Sequence, residues 1–367
     1  MVGLLLSSPL HASDLMAIYR EALEGDAQYG AARAAFQAAQ EKLPQGRAGF
    51  LPNITFTGNQ RKQLIQAGSY PERAIDAQGL TVTATQPIYR KENFAIYEQA
   101  KLQVLQANSQ FVLASQDLIL RVSQAYFDVL TAQVNVEVAE AQKKAIGLQL
   151  VQAKRNFEVG TATIVDTYEA QARSDLTTSQ DIAARNELEL RKRTLQQIIG
   201  RFPDKLARVN ENSSDLLTLK YVSMDEWVSV AEENNLPLKI QQAAHGIATQ
   251  DVERARAGHY PTLDLVALYS AQKGVGAAIT GIGMDITTKE IGLQFAVPVF
   301  QGGAVQSRVR EALANQERVL QNLNNARRNS SMQISQQYLN GLLEVLVYLD
   351  YLVDPVDPVA RHHLHLQ

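Results

Sequence analysis

Apolar and polar positions along this chain alternate with two different periods, and the switch between the periods occurs twice in the same order. Ile54 and Phe56 alternate with Asn53, Thr55 and Thr57, and Leu80, Val82 and Ala84 alternate with Thr81, Thr83 and Thr85. In the second half, Leu263, Leu265, Ala267 and Tyr269 face one way, with Asp264 among those facing the other. Ile291, Leu293, Phe295 and Val297 alternate with Gly292, Gln294 and Ala296. A period of two predicts four strands, each with one apolar and one more polar face. A helix precedes each strand pair, over about 14–48 and 224–257, the first with Ala31, Ala34, Ala35 and Ala38 as its packing face. Gly-x-x-Pro ends each helix, at 49–52 and 258–261, because proline lacks a donor and disfavours helix in the residue before it. The loops between paired strands, 58–77 and 270–288, are long for hairpins but ordinary for outer loops of membrane barrels.

Between the two strand pairs, about 92–200 is rich in Ala, Gln, Leu, Glu and Lys and almost free of Gly and Pro, which predicts helix. Gly160 interrupts it within Val159-Gly160-Thr161-Ala162-Thr163. A glycine there caps the first arm, and Thr161 or Thr163 can cap the second. The expectation is a helical hairpin with arms of about 60 and 40 residues, the longer reaching ~90 Å, as in a coiled-coil-like tube.

The two halves are copies. Arg47-Ala48-Gly49-Phe50-Leu51-Pro52 returns as Arg256-Ala257-Gly258-His259-Tyr260-Pro261 at an offset of 209. Gln86-Pro87-Ile88-Tyr89 returns as Val297-Pro298-Val299-Phe300 at 211, and Ala125-Tyr126-Phe127 as Gln337-Tyr338-Leu339 at 212. Slow drift through small insertions is the signature of a duplicated unit. The organisation read from this is repeat 1 over 14–208, a linker at 209–223, repeat 2 over 224–342 and an anomalous tail at 343–367. Residues 1–13 read as a signal-peptide remnant, with an apolar run at 2–6 and small residues at Ala12 and Ser13 but no basic residue before them.

Composition narrows the function. The 367 residues carry Lys+Arg 35 against Asp+Glu 38, a net charge of -3, so a nucleic-acid partner has no basic footprint. Zero Cys excludes disulfides, thiolate metal sites and cysteine nucleophiles. No run of about 18 apolar residues is present, so a membrane span would have to be built from strands. No phosphate-loop, zincin or serine-hydrolase pattern appears, and no cofactor, metal or enzymatic activity is expected. Gly274, Gly276, Gly281 and Gly283 lie between strands and precede no helix, which defeats a dinucleotide reading. His362, His363 and His365 read as accidental composition, and Trp227 as packing.

The order and spacing of these features resemble the TolC family of outer-membrane efflux and type I secretion channels over about 14–342. The residues carrying the resemblance are Leu43-Pro44 through Pro52, 258–265, Pro298-Val299-Phe300-Gln301-Gly302-Gly303 and Val159-Gly160-Thr161. The resemblance implies a membrane α+β fold, with four strands per protomer in a homotrimeric 12-stranded outer-membrane barrel above a periplasmic helical tunnel. It implies a passive export duct coupled to a periplasmic adaptor and an inner-membrane transporter. Apolar strand faces would meet outer-membrane lipid, with Thr81, Thr83, Thr85 and Gln294 facing water. The tip residues Gly160, Thr161, Thr163 and Asp166 would form the periplasmic gate and adaptor-facing end. The plainer reading of Asp166 is a first-turn acid favoured by the helix dipole.

A second tip would fall near position 371, beyond Gln367, and Pro355 corresponds to the middle of a long helix in repeat 1. The tail is therefore expected to be a frameshift or truncation product, which leaves a non-functional remnant as one alternative. A soluble periplasmic coiled-coil adaptor is another; it accounts for the helices but not for four alternating strands.

Overall fold

The computed structural model describes residues 13–65, 73–208, 223–275 and 284–353. All but Ser13 of the signal-peptide remnant at 1–13, most of the linker, the histidine cluster, Pro355 and Gly276, Gly281 and Gly283 lie outside the described residues. So does the side chain of Trp227. The chain divides into two units, 1–35 with 111–220 and 36–110 with 221–367.

The first unit contains α1 (Leu15–Gly25), the start of α2 (Ala27–Gln40), most of α4 (Lys91–Glu158) and α5 (Ile164–Ile199). Asp14 starts α1 by accepting the Ala17 amide at 2.7 Å. In α4, Leu118, Val122, Ala125 and Val129 follow helical spacing and bury one face against Ile18, Ala22, Leu195 and Ile198. Gly200, with φ 78°, ends α5 in the left-handed region. A Cβ on Gly25 would lie 2.6 Å from the Ile199 carbonyl oxygen, so this crossing requires glycine. Tyr126 is buried and donates from its hydroxyl to the Ala207 carbonyl at 2.7 Å.

The second unit contains the end of α2, α3 (Lys42–Ala48), β1 (Asn53–Ile65), β2 (Arg73–Arg90), the start of α4, α6 (Met224–Asn234), α7 (Leu236–Ala257), β3 (Thr262–Val275), β4 (Met284–Ala296) and α8 (Ala304–Val353). The strands form one antiparallel sheet in the order β1-β2-β3-β4. Leu238, Ala243, Ala248 and Val252 of α7 are buried, as are Val305 and Leu323 of the neighbouring α8. Small residues permit close approach here too: a Cβ on Gly46 would lie 2.9 Å from that of Ala100.

Several expectations need correction. The helix expected over 14–48 is three helices. Asp26 leaves α1 with an extended ψ of 114° and accepts the Tyr29 amide at 2.6 Å, so one side chain separates α1 from α2. The helix expected over 224–257 is likewise split, at Asn235, which accepts the Leu238 amide at 3.0 Å with Pro at the first helical positions. Ala31, Ala34, Ala35 and Ala38 are not a packing face within the protomer. All four are exposed, and Ala32, Phe36 and Ala39 are the half-covered positions. The strands run farther than expected, β1 to Ile65 and β4 from Met284, so cross-strand pairing takes up much of both assumed loops. The hairpin arms are 68 and 36 residues, and the longer extends ~100 Å at 1.5 Å per residue.

Candidate functional site

The hairpin tip is built by local hydrogen bonds. After α4, Gly160 takes φ 78° and donates to the Phe157 carbonyl at 3.0 Å. Thr161 then donates twice to the Asn156 carbonyl, from its amide at 2.8 Å and its hydroxyl at 3.0 Å. Thr163 and Asp166 form a reciprocal cap on α5. The Asp166 amide donates to Thr163 Oγ1 at 3.3 Å, while Thr163 donates to Asp166 Oδ2 from both amide and hydroxyl at 2.7 Å. The Thr163 hydroxyl and amide bonds hold the Asp166 carboxyl below its ordinary range. Gly160, Thr161, Thr163 and Asp166 are all exposed, as are Val159, Val165 and Tyr168 beside them. The structure thus brings the four sequence-derived residues together on one tip, with a rim of uncovered apolar side chains.

Charge pairs tie the arms behind the tip. Asp181 is buried between Lys143 of α4 and Arg185 of its own helix, both at 2.9 Å, and Arg185 also reaches Glu140. The Lys143 bond chiefly, and Arg185 after it, lowers the Asp181 pKa. Arg191 bridges to Asp128 of α4 at 3.1 Å. On α4, Leu120, Phe127, Val134, Ala141 and Leu148 recur every seven residues, and all are exposed. Together they leave an uncovered apolar stripe along this helix.

The sheet leaves its apolar face uncovered. Its register places Ile54, Ala84, Ala267 and Ile291 in one row, with Phe56, Val82 and Tyr269 in the next on the same face. This apolar face is uncovered, Ile54 being 69% exposed, Phe56 65%, Ile291 73% and Leu293 67%. Thr55, Thr57, Thr81, Thr83, Thr85, Asp264, Ser270 and Gln294 share the opposite face, where Asp264 and Ser270 are only 6% and 7% exposed. Thr81 and Ser270 hydrogen-bond across it at 3.0 Å. In water this arrangement is unfavourable by about 25 cal/mol for each Å² of apolar surface. It is the pattern of a barrel with lipid outside and water inside.

Residues 18–201 and 227–343 match the outer membrane efflux protein family. The chain belongs to that family. It is 31% identical over 308 residues to the outer membrane protein TolC of Vibrio cholerae serotype O1, covering 84% of this chain and 69% of that one. It is 30% identical over 344 residues to the alkaline protease secretion protein AprF of Pseudomonas aeruginosa, covering 91% and 71%. The crystal structure of CusC, which describes transmembrane channel formation, shares the fold with a TM-score of 0.73 at 17% identity, covering 92% and 79%. This outer membrane efflux protein is a channel component of efflux and type I secretion machinery, sited in the outer membrane and extending into the periplasm. Its relatives are channels rather than enzymes.

None of these ion pairs was read from the sequence, and two more tie distant parts of the chain. Arg90, the last residue of β2, grips the buried Asp264 of β3 through two bonds of 2.9 and 2.8 Å. Arg121 grips Asp26, at the α1–α2 break, through bonds of 2.9 and 3.1 Å. Their partners are 174 and 95 residues apart in the chain, so no local spacing announces them. For the first pair, the available signal was Asp264 standing between Leu263 and Leu265.

Proposed function

We propose that three copies of this chain form a passive export duct, each giving four strands to a closed 12-stranded barrel and its helices to a periplasmic tunnel. The observation that carries this reading is the sheet with an uncovered apolar face and two unpaired edges, β1 and β4. Four strands cannot close a barrel, and open edges do not persist in hydrocarbon because unmet backbone groups cost several kcal/mol each. Copies of the same chain supply the missing edges. The exposed apolar stripe on α4 supports side-by-side packing of helices from neighbouring copies. Repeats 14–208 and 224–342 are the duplicated units, each contributing one strand hairpin. An inner-membrane transporter supplies the energy, and a periplasmic adaptor engages the tunnel end.

The tip of Gly160, Thr161, Thr163 and Asp166 is the gate and the adaptor-facing surface. Asp166 has both roles considered above: it caps α5 within its own chain, and it adds a fixed negative charge to the mouth. Single-channel recording in planar bilayers tests this. Asp166→Ala is expected to raise conductance, and Thr163→Ala, which loosens the cap but keeps the carboxylate, to raise it less. Unchanged conductance in Asp166→Ala would remove the gate role, and absence of any conductance step in the parent would remove the duct itself.

A further inference from the structure

The duplication maps one strand interface onto another with single-residue resolution. Ile54 pairs with Ala84 in β1–β2. Advancing Ile54 by 209 residues and Ala84 by 211, the offsets read from the sequence, gives Leu263 and Phe295, which are partners in β3–β4. Phe56 with Val82 likewise becomes Leu265 with Leu293, again partners. The two hairpins are therefore identical in register, and the same offsets can be applied to the one remaining kind of interface. That is β2–β3, whose counterpart joins β4 to the β1 of another copy.

We propose that β4 of one protomer pairs with β1 of the next in the register inherited from β2–β3. Ala84 opposite Ala267 becomes Phe295 opposite Gly58, and Thr83 opposite Leu268 becomes Gln294 opposite Asn59. The β-bulge between Pro87 and Tyr89 becomes one between Pro298 and Phe300, with Pro298 opposite Thr55 and Phe300 opposite Ile54. Two observations support this beyond the arithmetic. Side-chain parity is preserved, since Phe295 and the even-numbered β1 position 58 both belong to the apolar face; an error of one residue would have crossed faces. In addition, 86–90 is paired strand inside the protomer, whereas its counterpart 297–301 is unpaired and leaves Val299 92% and Phe300 87% exposed. That segment follows β4 where its twin is the paired end of β2, and among the described residues no strand lies against it.

The mapped seam differs chemically from its internal twin. The ion pair Arg90–Asp264 maps to Gln301 and Thr55, both neutral. The joint between copies therefore lacks the charge clamp that the internal joint has.

This inference rests on the trimeric reading, and the test separates the two. The chain contains no Cys, so Gln294→Cys with Asn59→Cys can be oxidised in outer-membrane fractions without background. Controls pair Gln294→Cys with Thr57→Cys or Arg61→Cys, each two residues out of register on the same face. Such a slip adds about 7 Å along the strand and takes the Cα atoms beyond disulfide reach. Mass in detergent without oxidation reports the oligomer. The expected result is a trimer by mass, with covalent dimers and trimers on non-reducing gels from the 294/59 pair alone. A trimer that cross-links only at a control pair, or at none, overturns the register and leaves the trimer standing. A monomer by mass overturns both. Should cysteine variants fail to insert, Thr55→Asp with Gln301→Arg transplants the internal clamp onto the seam. It is expected to raise the temperature at which trimers dissociate on gels, where neither single change does; no rise overturns the register.

Discussion

Arg90 and Asp264 meet as a two-pronged pair, Nε to Oδ1 at 2.9 Å and the terminal nitrogen to Oδ2 at 2.8 Å, at the end of the sheet where β2 passes into α4. The Asp264 side chain is only 8% exposed, while Arg90 is 41% exposed. Removing the arginine strands a buried carboxylate, and breaking such pairs costs about 3 kcal/mol. Arg90→Ala is expected to lower the thermal stability of the assembled protein sharply, and Arg90→Gln with Asp264→Asn to recover much of it. Melting followed by circular dichroism in detergent checks both; equal losses in single and double variants would show that the pair acts by packing alone.

Acid should loosen the start of the first unit. Arg121 donates to Asp26 and, with the Tyr29 amide, holds its carboxyl below the ordinary value. A depressed folded-state pKa contributes stability that is present above the unfolded value of about 3.9 and is lost as pH falls through the folded one. The parent is expected to lose melting temperature on acidification below about pH 4, and Asp26→Asn to lose less over the same interval. Parallel slopes would exclude Asp26 as the group responsible.

Glycine is required where α1 turns past the end of α5. Gly25→Ala places a methyl 2.6 Å from the Ile199 carbonyl oxygen, which is backbone and yields only by moving a helix end. Gly200→Ala instead strains a residue at φ 78°, with the Gly25 Cα at an ordinary contact distance of 4.0 Å from the new methyl, at about 1 kcal/mol. Gly25→Ala is expected to destabilise the unit more than Gly200→Ala. Denaturant midpoints of the two variants rank them directly.

At the tip, Thr163→Val keeps the shape and deletes the capping hydroxyl, a loss of about 1 kcal/mol in helix initiation. Hydrogen exchange over 161–168 is expected to accelerate while that over 180–195 stays unchanged. Acceleration along the whole of α5 would mean that the cap holds the hairpin as a body.

Much of the architecture was legible because its causes are local. Period-two alternation marks the strands, a shortage of Gly and Pro marks the long arms, and Gly160 with Thr163 and Asp166 writes a cap within seven residues. The break at Asn235 was written locally, in Asn235-Leu236-Pro237, and was overlooked; the break at Asp26 was illegible for the opposite reason. An Asp followed by Ala-Gln-Tyr-Gly continues a helix as readily as it ends one, and Arg121, 95 residues away, holds the Asp26 carboxyl at the break. The exposure of Ala31, Ala34, Ala35 and Ala38 was missed because small residues predict close packing without saying whether the neighbour is the same molecule.

Because β1 and β4 are different edges of the sheet, the trimer proposed above would be joined head to tail rather than by a self-complementary face. A ring of that kind fails if any one joint fails. A variant with a blocked β1 still presents an intact β4, so it can occupy a place in the ring while denying the next one. Co-expressed in equal amount with the parent, such a variant would leave only about one ring in eight fully intact. Loss of export to that depth, rather than to half, would mark a poisoned assembly.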